Sequence, residues 1–463
     1  MSLDNLPVEW CLTDWVNITN TEDGFKRGPF GGSLKKEIFV AIGYAVYEQY
    51  APINDDCTRF RYFIDEDKYQ ELEKFSVEEN DFLISCSGTM GRITQVPVGA
   101  PKGVINQALL RIRLIKSAID SRYFLYLFKS PEFQNEILSG AVGGAIVNLA
   151  SVKELKEIKI PLPALAEQQE IVRQLDVMLA QVEQIKARLD AIPAILKKFR
   201  QSVLADAVSG KLIEQDFSNL DFLKLESLIL DSGNGLSKRK GDSGNEVTVL
   251  RLADFKDAQR ILGNERSILL TEKELQKYKL LQNDILVVRV NGSVDIAGKF
   301  ILHVDNDKDE AYCDHFIRLR INQQRLLPEY LLYIANEGKG RDYLVNSLST
   351  SAGQNTINQA SIKGLQLRVP DIKYQDMIVQ TVEKLFKHSF KIEETVRSAQ
   401  KRVNLLTQSI LAKAFSGELT AEWREQHQDL ITGVNSAEAL LAKIQAEREA
   451  SKPAKKTRKK KEV

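Results

Sequence analysis

The sequence repeats itself, and this constrains the fold more than any other property of the chain. QSVLADAVSGKL at 201–212 returns as QSILAKAFSGEL at 408–419, with eight of twelve positions identical at an offset of 207 residues. At the same offset QQEIV (168–172) faces QDMIV (375–379). Further upstream NLASVKEL (148–155) faces NQASIKGL (358–365), and ENDFLIS (79–85) faces QNDILVV (282–288). One such match can arise by chance, but four in a single order cannot. The chain is an internal duplication, with small changes of offset marking insertions in loops.

Each copy ends in a heptad pattern. In the first, Ile171, Leu175, Met178, Val182, Ile185, Leu189, Ile192, Leu196, Phe199 and Val203 follow alternating four- and three-residue spacing. In the second, Ile378, Val382, Leu385, Ile392, Val396, Ala399, Val403, Leu406 and Ile410 take the same places, with Ser389 as a polar break. A seam of this length predicts a coiled coil, and two seams in one chain predict an antiparallel pair. The other reading is two surface helices, each packed on its own domain. Ser209-Gly210 and Ser416-Gly417 close the helices, because glycine accepts the left-handed terminal conformation. Pro193 is expected to kink the first helix; Gln400 stands in its place in the second. A helix over 164–208 would be about 68 Å long.

The intervening segments carry short β-like runs at Phe82–Ile84, Leu109–Leu114, Ile285–Val290 and Phe316–Ile321, broken by Gly, Asn and Ser turns. Short helical patterns follow at Ser121–Leu127 and Pro328–Ala335. The predicted fold class is α+β: two mixed α/β domains joined by two long antiparallel coiled-coil helices with a pseudo-twofold repeat. The expected boundaries are 1–160, first globular domain; 161–216, central helical spacer; 217–370, second globular domain; 371–430, distal spacer; and 431–463, a short helix and basic tail. Outside the matched blocks the two globular segments differ almost completely in sequence, so the frame is read as retained and the heads as diverged.

Composition adds exclusions. No run approaches the roughly 18 apolar residues of a membrane helix, and the amino terminus resembles neither a secretory signal nor a transit peptide. Cys11, Cys57, Cys86 and Cys313 form no CxxC pair, which predicts reduced thiols in a cytoplasmic protein and no zinc site. Net charge is +1, but residues 452–461 hold seven cations. That tail reads either as a solvated, disordered end or as a loose phosphate-binding arm.

A catalytic constellation is not visible. Gly292-Ser293-Val294-Asp295-Ile296-Ala297-Gly298-Lys299-Phe300 imitates a phosphate loop, but has one residue too many and Phe where a hydroxyl must meet magnesium. Pro370-Asp371 with Lys373 reads as a helix start. His303, His315, His388 and His427 lack metal-ligand spacing. What the globular segments offer instead is glycine-rich loops flanked by cations. The candidate DNA-binding residues are Lys26, Arg27, Lys35, Lys36, Ser87, Thr89 and Arg92 in the first segment. In the second they are Lys238, Arg239, Lys240, Arg289, Asn291 and Ser293. Lys and Arg anchor phosphates, while Arg and Asn read base edges.

Leu6-Pro7-Val8-Glu9-Trp10, Ile160-Pro161-Leu162-Pro163-Ala164-Leu165-Ala166-Glu167-Gln168 and the run from Leu406 to Thr420 closely resemble motifs of the specificity (S) subunits of type I restriction–modification systems, type IA in particular. Val369-Pro370-Asp371-Ile372 departs from the pattern of the second linker. The resemblance implies that each globular domain is a target recognition domain reading one part of a split double-stranded DNA sequence. It further implies that the helices dock two methyltransferase (M) subunits, to which two restriction (R) subunits add. S-adenosylmethionine, ATP and magnesium would belong to those partners, and this chain would bind no cofactor and catalyse nothing. The competing expectation is a coiled-coil scaffold that joins two protein partners and touches no DNA.

Overall fold

The structure is a computed structural model describing residues 6–138, 149–256, 259–263, 265–305 and 308–450. The basic tail and Asn148 of the repeat lie outside the described residues. The chain forms two compact units: Met1–Arg188 with Gln400–Val463, and Leu189–Ala399.

In the first unit one sheet orders strands Phe25–Arg27, Leu109–Ile112, Phe82–Ser85 and Ile93–Gln95, all antiparallel. A second orders Phe63–Ile64, Tyr44–Tyr47, Gly103–Ile105 and Ser76–Val77, and its central pair runs parallel. Helices Ser121–Lys129 and Pro131–Leu138 cover the first sheet. Trp15 packs among Phe25, Phe124, Phe128 and Phe133 there, with ring centroids 5.2–6.1 Å apart. A ribbon of Cys11–Asp14 against Lys159–Leu162 closes the head.

The second unit repeats this plan. Its antiparallel sheet orders Ile229–Asn234, Phe316–Ile321, Ile285–Val288 and Phe300–Leu302. Asn245–Leu250 pairs antiparallel with Ser267–Leu270 and parallel with Glu310–Tyr312. Phe222–Lys224 against Gln366–Arg368 is the closing ribbon, and Pro328–Asn336 and Gly338–Asn346 are the covering helices. The duplication therefore runs through the heads, where sequence comparison found only two short blocks.

The matched blocks are the residues that hold this plan together. In ENDFLIS and QNDILVV, Asn80 and Asn283 take left-handed backbone with φ of 70° and 71°. The following Asp81 and Asp284 are buried and accept from the backbone N–H of Glu78 and Leu281, each at 2.8 Å. Each carboxylate also holds an arginine, Arg113 just after strand Leu109–Ile112 by its Nε at 2.8 Å and Arg320 in Phe316–Ile321 by its Nε at 2.9 Å. Asp23 with Arg111 and Asp231 with Arg318 repeat a second ion pair. Gln168 and Gln375, both fully buried, pin the long helices to their heads. Gln168 donates to Pro163 O at 2.9 Å and accepts from Asp120 N; Gln375 donates to Pro370 O at 2.7 Å and accepts from Leu327 N.

The long helices run from Leu165 to Ser209 and from Ile372 to Phe415, 45 and 44 residues. The first continues through Pro193, and Gly210 and Gly417 after the helix ends have φ of 87° and 82°. Within the second unit Arg200 Nε donates to Ser389 Oγ at 2.9 Å, and Leu204 and Ala207 share a core with Ile378 and Val382, so the segments run antiparallel. The predicted polar break, Ser389, is thus a buried acceptor. Within the first unit Ile171 and Leu175 share a core with Leu411 and Phe415.

The seam is narrower than its heptads promise. Ile171, Leu175, Val182, Ile378, Val382 and Val396 are buried, and Met178, Leu189, Leu385 and Val403 half-buried. Ile185 and Ile392, assigned to the seam, are exposed at 44% and 48%, and Leu406 with them. A pair of helices covers only one narrow stripe.

The motif residues meet in the first unit. The fully buried carboxylate of Glu167 accepts from Trp10 Nε1 at 2.9 Å, Thr420 Oγ1 at 2.7 Å and Arg424 Nε at 2.9 Å. Arg424 also donates to Gly417 O at 2.7 Å. In the second unit the equivalent positions are Phe217 and Tyr374, whose rings lie 6.2 Å apart, so an aromatic contact replaces the ionic one. Helix Ala437–Ala450 packs Leu440 and Ile444 into the core of the first head. Its Arg448 donates to Val16 O and Thr19 O, both at 2.6 Å. Among the described residues no helix is long and apolar enough to cross a membrane.

Candidate nucleic-acid interface

In each head the two parallel strands end side by side, and the second of them turns into the antiparallel sheet. Beyond the carboxyl ends of Tyr44–Tyr47 and Gly103–Ile105 stand Glu48, Gln49, Asn106 and Gln107; beyond Asn245–Leu250 and Glu310–Tyr312 stand Arg251, Cys313, Asp314 and His315. The registers match, Val46 facing Val104 and Val249 facing Ala311. A glycine passes over each turn: Gly28 N donates to Leu109 O at 3.0 Å and Gly235 N to Phe316 O at 3.1 Å. A Cβ at either glycine would fall on the carbonyl oxygen of Asn106 or Cys313, so only glycine allows the approach.

Each turn floors a small hollow, about 210 Å³ in the first head and about 200 Å³ in the second. The first is lined by Lys36, Glu48, Tyr62, Asn106 and Gln107. The second is lined by Lys238, Arg239, Arg251, Arg266, Asp314 and His315. In the first head a wider concavity of about 510 Å³ adjoins it, sharing Glu48 and Asn106 and adding Gln49, Tyr50, Arg59 and Arg61.

The polar groups are held in place. Glu48 pairs with Arg61 at 3.2 Å, whose guanidinium lies 4.5 Å over the Tyr62 ring, itself stacked on Phe39. Arg251 is gripped by fully buried Asp254, Nη2 to Oδ1 at 3.0 Å, and those hydrogen bonds raise its pKa. Cys313, Asp314 and His315 are the one cluster among the described residues that brings three potential ligand atoms within 4.8 Å. Burial pushes the Cys313 thiol up, away from the thiolate that metals prefer.

The sequence-predicted residues fall around these hollows unevenly. Lys36 lines the first hollow, and Lys238 and Arg239 line the second. Lys35 and Lys240 are exposed beside them. Lys238 is tied to Glu274 at 3.0 Å. Lys26 and Arg27 lie in strand Phe25–Arg27, Lys26 pairing with Asp23 at 3.3 Å and Arg27 exposed. Ser87, Thr89 and Arg92 sit on the hairpin loop after Phe82–Ser85. Ser85 Oγ braces that loop by donating to Thr89 O at 2.6 Å and accepting from Arg92 N at 3.0 Å. Ser87 Oγ accepts from Gln49 Nε2 at 2.7 Å, which ties the loop to the rim. Arg92 lines a different cleft, with Arg122 and Asp176. Arg289 donates to Asp314 O at 3.3 Å, beside the second hollow. Asn291 pairs with Asn355 across a short ribbon, and its side chain accepts from Ser293 N at 2.8 Å.

Sequence reading missed the floor residues and the exposed hairpin Ser349–Ser351/Gln354–Thr356, whose Asn355 donates to Gly292 O at 3.0 Å. A signal for the floor existed: Arg111 and Arg113 recur as Arg318 and Arg320 at an offset of 207, which aligns the turns just before them. The imitation phosphate loop runs directly into strand Phe300–Leu302 and not into a helix, unlike a true phosphate loop.

Two further clefts flank the long helices at equivalent places. Tyr126, Asp176, Leu179 and Glu183 line one of about 900 Å³ in the first unit. Tyr333, Glu383, Phe386 and Phe390 line one of about 670 Å³ in the second. Each set lies at the same offset of 207.

The chain is similar to known proteins over most of its length. A family model described as the type I restriction modification DNA specificity domain matches residues 40–194 and again 232–400. The chain is 55% identical to the type I restriction enzyme StySPI specificity subunit of Salmonella potsdam, over 74% of this chain and 75% of that one. It is 35% identical to the EcoKI specificity subunit of Escherichia coli (strain K12), over 99% and 100%. Among solved structures it resembles the HsdS subunit from Thermoanaerobacter tengcongensis, with TM-score 0.59, 16% identity and coverage of 89% and 98%. It also resembles a chain from work on complex assembly and conformational transition of the type I R-M system, with TM-score 0.66, 16% identity and coverage of 89% and 99%. These likenesses are of fold.

Proposed function

The chain belongs to the type I restriction–modification DNA specificity family, and from that membership we propose that it is the subunit that chooses the DNA sequence its complex acts on. It binds DNA and assembles with the other subunits of its system. The observation that carries this reading is two heads of one architecture whose equivalent hollows present different chemistry, Glu48, Asn106 and Gln107 in one and Arg251, Asp314 and His315 in the other. Unlike readers on a repeated frame call for an asymmetric, bipartite target. Lys36, Lys238, Arg239 and the exposed cations beside them hold phosphates, which fixes register without reading sequence.

The two equivalent clefts along the helices support a stoichiometry of two methyltransferase subunits, with two restriction subunits added to them. Apolar side chains left exposed on the helices, among them Val177, Ile195, Phe390 and Leu405, give such partners surface to bury. S-adenosylmethionine, ATP and magnesium belong to the partners, methyl transfer and cleavage are theirs, and the complex works in the cytoplasm on cellular DNA.

The test is selection from a randomised duplex by this chain with its methyltransferase partner, alongside a map of N6-methyladenine in cells expressing both. The expected result is two fixed half-sequences separated by an unspecified spacer of constant length. Binding to the partner with no enriched sequence would leave a protein scaffold instead. Methyl transfer or cleavage by the isolated chain would overturn the non-catalytic assignment.

A further inference from the structure

We propose that each head reads its half of the target with the side chains following the carboxyl ends of its parallel strand pair: Glu48, Asn106 and Gln107 in the first, Arg251, Asp314 and His315 in the second. This rests on the DNA-reading function above and assigns it to particular residues.

Parallel strands end side by side, and the space beyond their carboxyl ends is where α/β proteins gather ligand-binding groups, because the following turns converge there. Each head has one such pair among its described strands. Around the two turns the frame is the same. Gly28 and Gly235 cross them, and the aspartate-held Arg111 and Arg113, Arg318 and Arg320 stand on the strands that follow or, for Arg113, just after. On that frame the residues are exchanged: Glu48 is replaced by Arg251, Asn106, whose Oδ1 accepts from Ala108 N at 3.0 Å, by Cys313, Gln107 by Asp314 and Ala108 by His315. Different side chains at one place that both backbones build alike are what two readers of different sequences require.

The residue types suit the task. A carboxylate accepts from the amino group of cytosine, arginine donates two bonds to guanine, and Asn and Gln match the edge of adenine. Cations stand at the rims, Lys36 in one head and Lys238, Arg239 and Arg266 in the other, to hold the strand being read. Glu48 is braced by Arg61 and Arg251 by Asp254 before any DNA arrives, so little side-chain freedom is lost on binding. Because Glu48 and Arg251 occupy equivalent positions with opposite charge, the two half-sequences differ at the base each one meets: a guanine for Arg251, an amino-bearing cytosine for Glu48.

The experiment selects targets from a randomised duplex with the methyltransferase-bound chain carrying Glu48→Gln, Asn106→Ala, Arg251→Lys or His315→Ala. Arg251→Lys is used because Arg251→Ala would strand the buried Asp254. The first two variants are expected to relax the first half-sequence by about tenfold or more at one position and leave the second half and the spacer intact. The last two do the converse. The half that is retained reports that the variant is folded and bound. Half-sequences unchanged in both Glu48→Gln and Arg251→Lys overturn the assignment, as does a uniform loss of affinity with both preferences preserved. If the unaltered chain enriches no bipartite sequence, the DNA-reading function itself has failed.

Discussion

Arg424→Ala is the sharpest probe of how the first unit is closed. Its guanidinium is 10% exposed and lies 2.8 Å from the fully buried carboxylate of Glu167, which no solvent reaches. Removing the arginine leaves that carboxylate with two neutral donors, Trp10 Nε1 and Thr420 Oγ1, and leaves Gly417 O without its donor. Breaking a buried pair from one side costs about 3–5 kcal/mol, mostly because the remaining charge stays desolvated. The double variant Glu167→Gln, Arg424→Met removes both charges, keeps an amide oxygen to accept from Trp10 Nε1 and gives Thr420 Oγ1 an amide N–H to accept. It is expected to recover at least about 2 kcal/mol of that loss, a coupling typical of groups in one network. Tryptophan fluorescence during urea unfolding of the full chain reads this directly. All three tryptophans, Trp10, Trp15 and Trp423, belong to the first unit. A midpoint shift at unchanged slope gives the stability difference. The reasoning is refuted if Arg424→Ala costs less than about 1 kcal/mol, the value of an exposed pair, or if the double variant recovers none of that loss.

Further outcomes concern individual side chains. Burial outweighs Glu310 in lowering the pKa of His303. The unfolded chain therefore binds the proton more readily, and this contribution to stability, present above about pH 6.5, is lost as pH falls below it. Hydrogen exchange in Phe300–Leu302 should quicken below that pH, and His303→Gln should flatten the dependence. Burial pushes the thiols of Cys57 and Cys86 up to about 11, so both should resist alkylation at pH 8 in the native chain and react once urea unfolds it; prompt native labelling of either contradicts the burial. Gly235→Ala drives a Cβ onto the carbonyl of Cys313 and should abolish recognition of the second half-sequence while sparing the first, as read by duplex selection.

The frame was legible because its residues must be the same twice. A left-handed Asn before a buried Asp, a Gln that fastens a helix to its linker and a glycine after the helix end admit few substitutes, so they survive as matched blocks. The shared sheets of the heads were hidden because a strand asks only for apolar residues in alternation, which many sequences supply. The extent of the seam misled for a different reason: Ile185 and Ile392 sit at heptad positions, yet they are exposed while their heptad neighbours Val182 and Val396 are buried, so the buried stripe is narrower than the heptad pattern. The cationic loops were found by composition, but the floor residues Glu48, Asn106 and Asp314 are ordinary polar residues in short turns. Only strand pairing brings them together.

The first head is completed by Leu411, Phe415, Leu440 and Ile444, which gives the chain an order of assembly during synthesis. The helix at Ala437–Ala450 is made some 300 residues after the strands of the first head, so at about 5–20 residues per second that head waits roughly 15–60 s with part of its core bare. The second unit, one unbroken stretch from Leu189 to Ala399, can close while the first is still waiting. The part of the chain made first is thus the part finished last, and a ribosome that stops early releases a sound second head with an open first one.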